Sequence, residues 1–369
     1  MEIKVIVGDI AQIEADAIVV NFFEGVDQPG GATAAVDKAL DGAISSLISR
    51  GEIKGKFGEV TIVHTFGKLP ARIVAIAGLG KRQDFNVDKT QGVAGEFCRA
   101  LRKSNCHKIA TILHGAGIGG IELEASAEAI AEGALLGLYN FAKYKRPEYE
   151  DIEEILIAVR EKEKVPILEP AIGKGKLVAE ATNLARDMVN EPANYMTPNQ
   201  MAETAKEIAS KYNLEFKVFD REDMEAMGMG ALLGVAKGSN QPPKLITLSY
   251  KGDERSEKAL GFLGKGITFD SGGISIKASE GMSEMKGDMA GAAAVMTALG
   301  AIAQLKPQIN VTAIIPATEN LPSGTALSGI SLPSCRKSRG KAHPNLGRSS
   351  HRSGAAAPSC PRKGSYASG

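Results

Sequence analysis

The sequence predicts an α/β protein made of two successive α/β units. Short runs rich in β-branched residues alternate with segments whose apolar residues recur at helical spacing, a pattern typical of α/β domains. The length of 369 residues is sufficient for two domains of ordinary size. A hydrophobic content of 43% allows each unit to bury a core.

The first predicted unit is an α/β domain over residues 1–160. Its strand candidates are residues 3–7, 17–23, 60–66, 72–77, 108–114 and 154–159. Between them, residues 32–48, 90–103 and 125–144 show helical spacing of apolar residues. A charged, proline-punctuated stretch, residues 161–173, is interpreted as a linker to the next unit.

The second predicted unit covers residues 174–327 and starts with a long helix over residues 174–189. Thr197 is a plausible N-cap for the next helix because Pro198 follows it at the first helical position. Further elements are predicted as strands 215–219, 244–250, 260–269 and 311–315 and a helix over 289–305. The strand over 260–269 has a buried-looking composition.

The last segment, residues 328–369, differs in character from the rest. Eight of the 44 Lys and Arg residues lie in it, whereas all 43 Asp and Glu residues precede it, so the body alone carries a net charge of −7. The segment is rich in Ser, Gly and Pro and has few large aliphatic residues. Such a composition buries too little apolar surface to offset its ordering entropy, and we expect disorder there.

Composition also argues against several classes of protein. No run reaches the roughly 18 to 20 uninterrupted apolar residues that a membrane helix needs, and no basic-then-apolar signal peptide opens the chain. We therefore expect a cytoplasmic protein without a membrane segment. The four cysteines form no CxxC pair, so neither a zinc knuckle nor a disulfide framework is indicated.

The stretch from Gly264 to Lys277, followed by Asp288, carries the most chemical information. A buried strand that ends in Asp270 and two glycines places a carboxylate at the carboxyl end of a sheet, where open α/β folds bind ligands. Lys265 lies within the apolar strand, and a lysine in a low-dielectric site can lose its proton and offer a neutral amine to a metal. Asp288 precedes a helix of small residues.

Each of these residues also has a structural interpretation. Asp288 can be a helix N-cap, and Lys265 can bury its stem while its amine reaches solvent. The turn at Asp270 can be only a turn. A phosphate-binding loop is disfavoured, because Gly266 stands where that motif requires Ser or Thr.

Four stretches of the sequence resemble the leucine (cytosol) aminopeptidase family. They are the segment 264–277 just described, residues 185–194 (ARDMVNEPAN), residues 284–293 (EMKGDMAGAA) and residues 311–322, which contain PATEN. The resemblance is close over residues 174–327 and looser over the first unit. It implies a macro-like N-terminal α/β domain followed by a metallopeptidase domain that is truncated here.

The resemblance implies a pair of divalent metal ions, Mn or Zn, with Lys265, Asp270 and Asp288 among their ligands and Asp270 bridging both. Lys277 matches the catalytic lysine of the family, whose cation polarises the substrate carbonyl and stabilises the oxyanion. The implied nucleophile is a hydroxide that the two metals activate. The implied substrates are peptides with a free N-terminus, and the implied assembly is a homo-hexamer.

The family's later Asp, Glu and Arg, which complete its active site, have no counterpart here. At the family spacing those positions fall on Gly347, Ser349 and His351. A one-base frameshift near Ser328 explains the change, since a back-translation of Gly329 to Arg336, read from its third base, gives Asp-Ile-Ile-Thr-Phe-Met-Ser. We therefore expect the chain as printed to be unstable or inactive, because hard divalent cations depend on anionic oxygen ligands.

Two competing hypotheses do not require catalysis. The N-terminal unit can be a ligand- or DNA-binding module, since Gly30, Gly31 and Ala32 can cradle a phosphate at a helix start. Nucleic acid has little electrostatic support, because residues 1–150 contain no dense basic run and the body is acidic. The chain can also be a non-catalytic partner within a larger assembly.

Overall fold

The computed structural model describes residues 1–117 and 119–324, all within one compact unit. The predicted disorder of residues 328–369, the frameshift near Ser328 and the positions Gly347, Ser349 and His351 lie outside these residues. Within them, the two-domain α/β architecture predicted from the sequence is confirmed.

The N-terminal domain is built on a six-stranded sheet. Its strands are β1 (Glu2–Val7), β2 (Ala17–Glu24), β3 (Val60–His64), β4 (Ile73–Lys81), β5 (Lys108–Thr111) and β6 (Glu154–Val159). The spatial order is β1-β6-β5-β2-β4-β3, and every neighbouring pair is parallel except β3 with β4. The carboxyl ends of five strands therefore share one edge of the sheet.

Helices cover both faces of this sheet. They are α1 (Gly31–Ala39), α2 (Ala43–Ser49), α3 (Val87–Lys103) and α4 (Leu123–Leu138). Along β2, Ile18 and Val20 pack towards α1 and α2, whereas Ala17 and Val19 pack towards α3 and α4. This alternation buries both faces of β2, as is typical of parallel sheets.

The helix predicted over residues 32–48 is interrupted. Asp41 and Gly42 both have positive φ, 54° and 80°, so the chain leaves the right-handed helical conformation between α1 and α2. The carboxylate of Asp37 then accepts the backbone N–H of Ile44 at 2.8 Å, which satisfies an amide at the start of α2. The interruption thus has its own hydrogen-bonded cap.

The second domain contains a mixed sheet in the order β10-β11-β8-β7. Its elements are α5 (Val165–Asn190), α6 (Pro198–Tyr212), β7 (Glu215–Phe219), α7 (Arg221–Ala226), α8 (Gly230–Ala236), β8 (Lys244–Lys251), β9 (Leu260–Leu263), β10 (Gly266–Asp270), α9 (Ala290–Leu305) and β11 (Asn310–Asn320). The predicted cap of α6 is confirmed, because Thr197 Oγ1 accepts the N–H of Gln200 at 3.2 Å.

The linker predicted over residues 161–173 is helical for most of its length. Helix α5 starts at Val165 and continues through Pro170. Leu168 and Ile172 are buried in the N-terminal core, and Met188, near the other end of α5, is buried in the second core. One helix therefore joins the two domains, and burial of its apolar face outweighs the local effect of proline.

The strand predicted over residues 260–269 is divided in two. Both parts pair in parallel with β11, but Gly264 and Lys265 lie between them, where the Lys265 carbonyl accepts the N–H of Ala292 from α9 at 2.9 Å. The burial prediction is wrong for β9, since Leu260 is 55% exposed and Leu263 is 75% exposed. All four residues of β9 are exposed among the described residues.

The region Met282–Leu305 is long and apolar enough to meet the criteria for a membrane-spanning helix, with a mean hydropathy of 1.3. It joins a 3-10 helix, Met282–Met289, to α9. Ala292, Met296 and Leu299 of α9 are fully buried in the core of the second domain. Core packing accounts for the apolar composition of this region.

Candidate metal centre

The candidate site lies where β10 and β11 end side by side. These strands are parallel and pair Asp270 with Asn320, so both side chains stand at the carboxyl edge of the second sheet. The 3-10 helix Met282–Met289 packs against β10 and carries Asp288. The sequence prediction that Asp270 ends a strand at this edge is confirmed.

A tight turn follows Asp270 and depends on two glycines. Gly272 and Gly273 have φ values of 90° and 67°, which L side chains rarely adopt. A Cβ atom on Gly272 would meet the Ser275 carbonyl oxygen at 2.4 Å. The turn is closed by Lys277, whose N–H donates to the carbonyl of Ser271 at 2.9 Å. The backbone thereby returns Lys277 to the strand end.

Three donors hold the Asp270 carboxylate. Lys277 Nζ donates to Oδ2 at 2.8 Å, while Asn320 Nδ2 and the N–H of Gly272 donate to Oδ1 at 2.7 and 3.0 Å. Burial raises the pKa of Asp270, but these three hydrogen bonds outweigh it and hold the pKa below its ordinary value. Asp270 is therefore a carboxylate at neutral pH.

Lys277 is a half-exposed cation at the rim of the turn. Its side chain is 40% exposed, and its Nζ also lies 3.2 Å from the sulfur of Met285. The neighbouring Ile274 and Ile276 are both well exposed. An ammonium group in this position can reach a molecule that arrives from solvent.

A second ion pair joins Lys265 to Asp288. Lys265 Nζ lies 2.6 Å from Asp288 Oδ1. The expected low-dielectric environment of Lys265 is wrong for this structure, because its side chain is 57% exposed. The reason is the break between β9 and β10, which takes Lys265 out of the buried strand. The alternative interpretation of Lys265, in which its stem packs against protein while its amine reaches solvent, describes this exposed side chain better than a buried amine does.

Asp288 is not the N-cap of α9. It lies one residue earlier, within the 3-10 helix, and Met289 takes the cap position. Asp288 Oδ2 is buried and, among the described residues, has no hydrogen-bond partner. A buried carboxylate oxygen without a partner is costly, and a bound cation would satisfy it.

The described residues fit part of a cation site. Residues 1–117 and 119–324 contain no group of three or more His, Cys, Asp or Glu side chains arranged to hold a metal. They do provide two carboxylates, Asp270 and Asp288, and the amine of Lys265. The orphaned Asp288 Oδ2 indicates that this set is suited to a cation, and oxygen ligands suit hard divalent ions.

Two polar residues near the site were given no role by the sequence analysis. Asn320 binds Asp270 through its side chain, and its carbonyl accepts both the N–H and the hydroxyl of Ser271, at 2.9 and 2.8 Å. Glu319 is buried beside Ser239, and burial raises its pKa. Both belong to the PATEN stretch, whose polar end was the available signal.

Two family models match this chain. Residues 183–329 match the model described as "Cytosol aminopeptidase family, catalytic domain", and residues 19–148 match "Cytosol aminopeptidase family, N-terminal domain". Together they span more than half of the sequence. The interval between the two matches, residues 149–182, includes the first part of α5.

Similar proteins and structures agree with these matches. A probable cytosol aminopeptidase of Alkaliphilus metalliredigens (strain QYMF) is 43% identical over 330 residues, and one of Alkaliphilus oremlandii (strain OhILAs) is 41% identical over 329 residues. Each alignment covers 88% of this chain but only 66% of the relative. The chain therefore spans slightly less than two thirds of their length.

Two solved structures are also similar. The bottromycin maturation enzyme BotP in complex with Mn superposes with a TM-score of 0.70 and 31% identity, covering 85% of this chain and 61% of BotP. A mutant of tomato leucine aminopeptidase gives a TM-score of 0.76 and 28% identity, covering 89% of this chain and 64% of that protein.

Proposed function

This chain belongs to the cytosol aminopeptidase family, and on that premise we propose that it derives from a metal-dependent aminopeptidase of the leucine type. The proposed substrates are peptides with a free N-terminus. The observation that carries the proposal is the unpartnered Asp288 Oδ2 beside a strand end that carries Asp270. The names of the relatives support the reaction class.

In this proposal Lys265, Asp270 and Asp288 are the residues that would hold divalent cations, either Mn or Zn. Such ions, when bound, supply Lewis acidity and make a water-derived nucleophile available near neutral pH. Lys265, whose Nζ lies 2.6 Å from Asp288 Oδ1, would hold a cation together with that carboxylate. The Mn-bound BotP structure supports a manganese site in a similar protein.

Lys277 acts on the substrate in this proposal. Its Nζ rests on Asp270 Oδ2 at 2.8 Å, and it turns from there to the carbonyl oxygen of the peptide bond. Its positive charge then stabilises the negative charge that develops on that oxygen. The exposed position of Lys277 supports this role, because a substrate can reach the ammonium group without rearrangement of the core.

Manganese titration of the full 369-residue chain, followed by electron paramagnetic resonance of free Mn, tests the metal site. We expect the substitution Asp288→Asn to weaken Mn binding about tenfold or more, because it removes the unpartnered anionic oxygen. Glu207→Gln, an exposed change on α6, serves as the matched control. Equal Mn affinity in Asp288→Asn and the wild type would rule out the site.

The altered segment, residues 328–369, bears on the activity of this chain. The sequence contains no Asp or Glu after Glu319, so residues 328–369 supply none of the carboxylates that the family resemblance calls for. We infer a frameshift near Ser328 and little or no aminopeptidase activity for the chain as printed. Robust hydrolysis of leucine amide by this chain contradicts the inference. Resequencing of the coding DNA around codon 328 tests the frameshift directly.

We also propose a cytoplasmic location and a homo-hexameric assembly. The names of the relatives support a cytoplasmic protein. The proposed assembly of the intact family protein is a homo-hexamer. Sedimentation of the 369-residue chain tests it, and a stable monomer contradicts it for this chain.

A further inference from the structure

Strand β9 and the residues that lead into it form an exposed segment with an apolar centre. Residues 257–263 are all exposed, and Leu260, Phe262 and Leu263 among them are large and apolar. Ile314 of β11, which pairs with Leu263, is exposed as well. The core of the second domain does not include these side chains. Contiguous apolar surface of this kind is typical of an interaction site.

β9 also presents an open backbone edge. Among the described residues it pairs only with β11. The N–H of Gly264 donates to the Ile314 carbonyl at 3.0 Å, so the even-numbered residues turn their backbone groups towards β11. Because successive residues of a strand alternate in this respect, Gly261 and Leu263 turn theirs away from β11. Such an edge is a template for pairing with another strand.

The last segment of the sequence is a poor partner for this edge. Residues 328–369 carry eight Lys and Arg residues and no Asp or Glu. Lys258 precedes β9 and Lys265 follows it, so a basic segment laid along the strand would bring like charges together. A second copy of β9, in contrast, brings the carboxylate of its own Glu257.

One antiparallel register of two copies suits the backbone, the apolar side chains and the charges together. It centres on Gly261, which lies opposite Gly261 of the second copy and exchanges both backbone hydrogen bonds with it. Leu260 of each copy lies opposite Phe262 of the other, and aromatic–aliphatic pairs of this kind stabilise sheets. Glu257 of each copy lies opposite Lys265 of the other, so opposite charges meet at both ends.

The neighbouring registers fit less well. A shift of two residues in one direction places Arg255 opposite Lys265, which is a repulsive pair. The same shift in the other direction places Glu257 opposite the apolar Ile267. A shift of one residue sets outward-facing backbone groups against groups that are already bonded to β11. The register centred on Gly261 is therefore the favoured one.

We propose that β9 is a docking strand for a second copy of this chain, in the antiparallel register centred on Gly261. The resulting dimer extends the sheet of the second domain across a twofold axis and covers Leu260, Phe262 and Leu263. The proposal concerns the 369-residue chain and depends neither on metal binding nor on aminopeptidase activity. It is separate from the hexamer proposed for the intact family protein.

Sedimentation velocity of the full chain, without added metal, measures the dimer at concentrations of about 1 to 100 µM. We expect a concentration-dependent dimer. Glu257→Lys sets like charges opposite each other and should weaken the dimer about tenfold, whereas the matched exposed change Glu254→Lys should alter its affinity by less than about twofold. A monomer throughout this range, or equal effects of the two substitutions, overturns the proposal.

Disulfide cross-linking locates the twofold axis. In a background with Cys335 and Cys360 changed to serine, the remaining native cysteines, Cys98 and Cys106, are buried. Nothing lies within 4 Å of a Cβ placed on Gly261, so Gly261→Cys has room for its side chain. It should form a disulfide-linked dimer on mild oxidation, because directly paired residues of antiparallel strands have Cα atoms about 5.5 Å apart.

Two further cysteine variants test the register. Leu263→Cys alone should not cross-link, since the proposed register separates the two copies of residue 263 by four residues, or about 13 Å. The double variant Ala259→Cys/Leu263→Cys should cross-link, because the register places these two positions opposite each other. A disulfide-linked dimer of Leu263→Cys alone, or none of Gly261→Cys, overturns the proposal.

Discussion

The two sheets of the molecule differ in how fully the described residues cover them. In the N-terminal sheet, β4 is buried at every position from Ile73 to Gly80. In the second sheet, all four residues of β9 are exposed, although Leu260, Phe262 and Leu263 are large and apolar. In the first sheet, packing against helices buries the apolar residues of a central strand. In the second sheet, the apolar residues of β9 remain exposed among the described residues.

The same contrast extends to polar groups. In the N-terminal domain the buried His114 has partners on both ring nitrogens, Asn21 at 3.0 Å and Thr111 at 2.8 Å. In the second domain the buried oxygen Asp288 Oδ2 has none among the described residues. Among the described residues, the first domain has no buried side-chain polar atom without a hydrogen-bond partner, whereas the second domain has one, Asp288 Oδ2.

The largest expected effect comes from the complete core. Phe97 is fully buried in the N-terminal domain, and Phe97→Ala should lower the free energy of unfolding by about 3 to 5 kcal/mol through the cavity it leaves. Chemical denaturation measures the loss. A loss no larger than that of Leu263→Ala on β9 would contradict the contrast between the two sheets.

The next effect concerns the turn that holds Asp270. If Asp270 is a metal ligand as proposed, Asn320→Ala, which removes the side-chain donor to Asp270 Oδ1, should weaken Mn binding about 10- to 100-fold, because outer partners orient the ligands of a metal. Mn titration measures it, with the exposed Asn140→Ala as control. A change in melting temperature without a change in Mn affinity would show that Asn320 supports only the fold.

Acid sensitivity should come chiefly from the N-terminal domain. Burial lowers the pKa of His114 from 6.5 to about 3, so below pH 6.5 the unfolded chain takes up a proton that the folded chain does not. Stability is therefore lost as pH falls from 6.5 towards 3, by up to about 1.4 kcal/mol per pH unit. His114→Gln should flatten this slope in denaturation curves at pH 7 and pH 5.

Asp270 contributes in a different pH window. Its folded pKa is held below the ordinary 3.8, so its contribution is present above that value and is lost only at lower pH. Equal slopes between pH 7 and pH 5 for His114→Gln and the wild type would contradict the assignment to His114.

The smallest effect on stability is expected at β9. Leu263→Ser should change the free energy of unfolding by less than about 0.5 kcal/mol, because the side chain is already 75% exposed. It should nevertheless reduce self-association, since an apolar edge strand is prone to pair with other chains. Light scattering measures this, with Leu305→Ser, on an exposed residue of α9, as control. Equal scattering by the two variants would exclude the β9 edge as the cause.

Local patterns predicted most of the elements. β6 and β7 have the predicted bounds, and the cap at Thr197 is found as expected, because these features depend on nearby residues. The start of α5 was not predicted, since Pro166 and Pro170 suggest a linker and only tertiary burial of Leu168 and Ile172 makes the segment helical. Propensity is a weak guide wherever burial decides the outcome.

The sequence predicted which charged residues lie at the site, but not all of the contacts that surround them. Asp270 and Lys277 meet at the strand end, as the glycine turn between them allows. Exposure of the Lys265 amine was one of the two alternatives left open for that residue, but the break between β9 and β10 was not predicted, because an apolar run gives no sign of it. The part played by Asn320 depends on strand register, which a single sequence does not reveal.

Helix α5 couples the thermal unfolding of the two domains, because it packs in both cores. Its 26 residues form a rod of about 39 Å, with Leu168 anchored in one core and Met188 in the other. Heat that loosens either core therefore frays a helix on which the other core also depends. Calorimetry should record a single broadened unfolding transition for the two domains. A destabilising substitution in the core of one domain should also lower the melting temperature of the other domain.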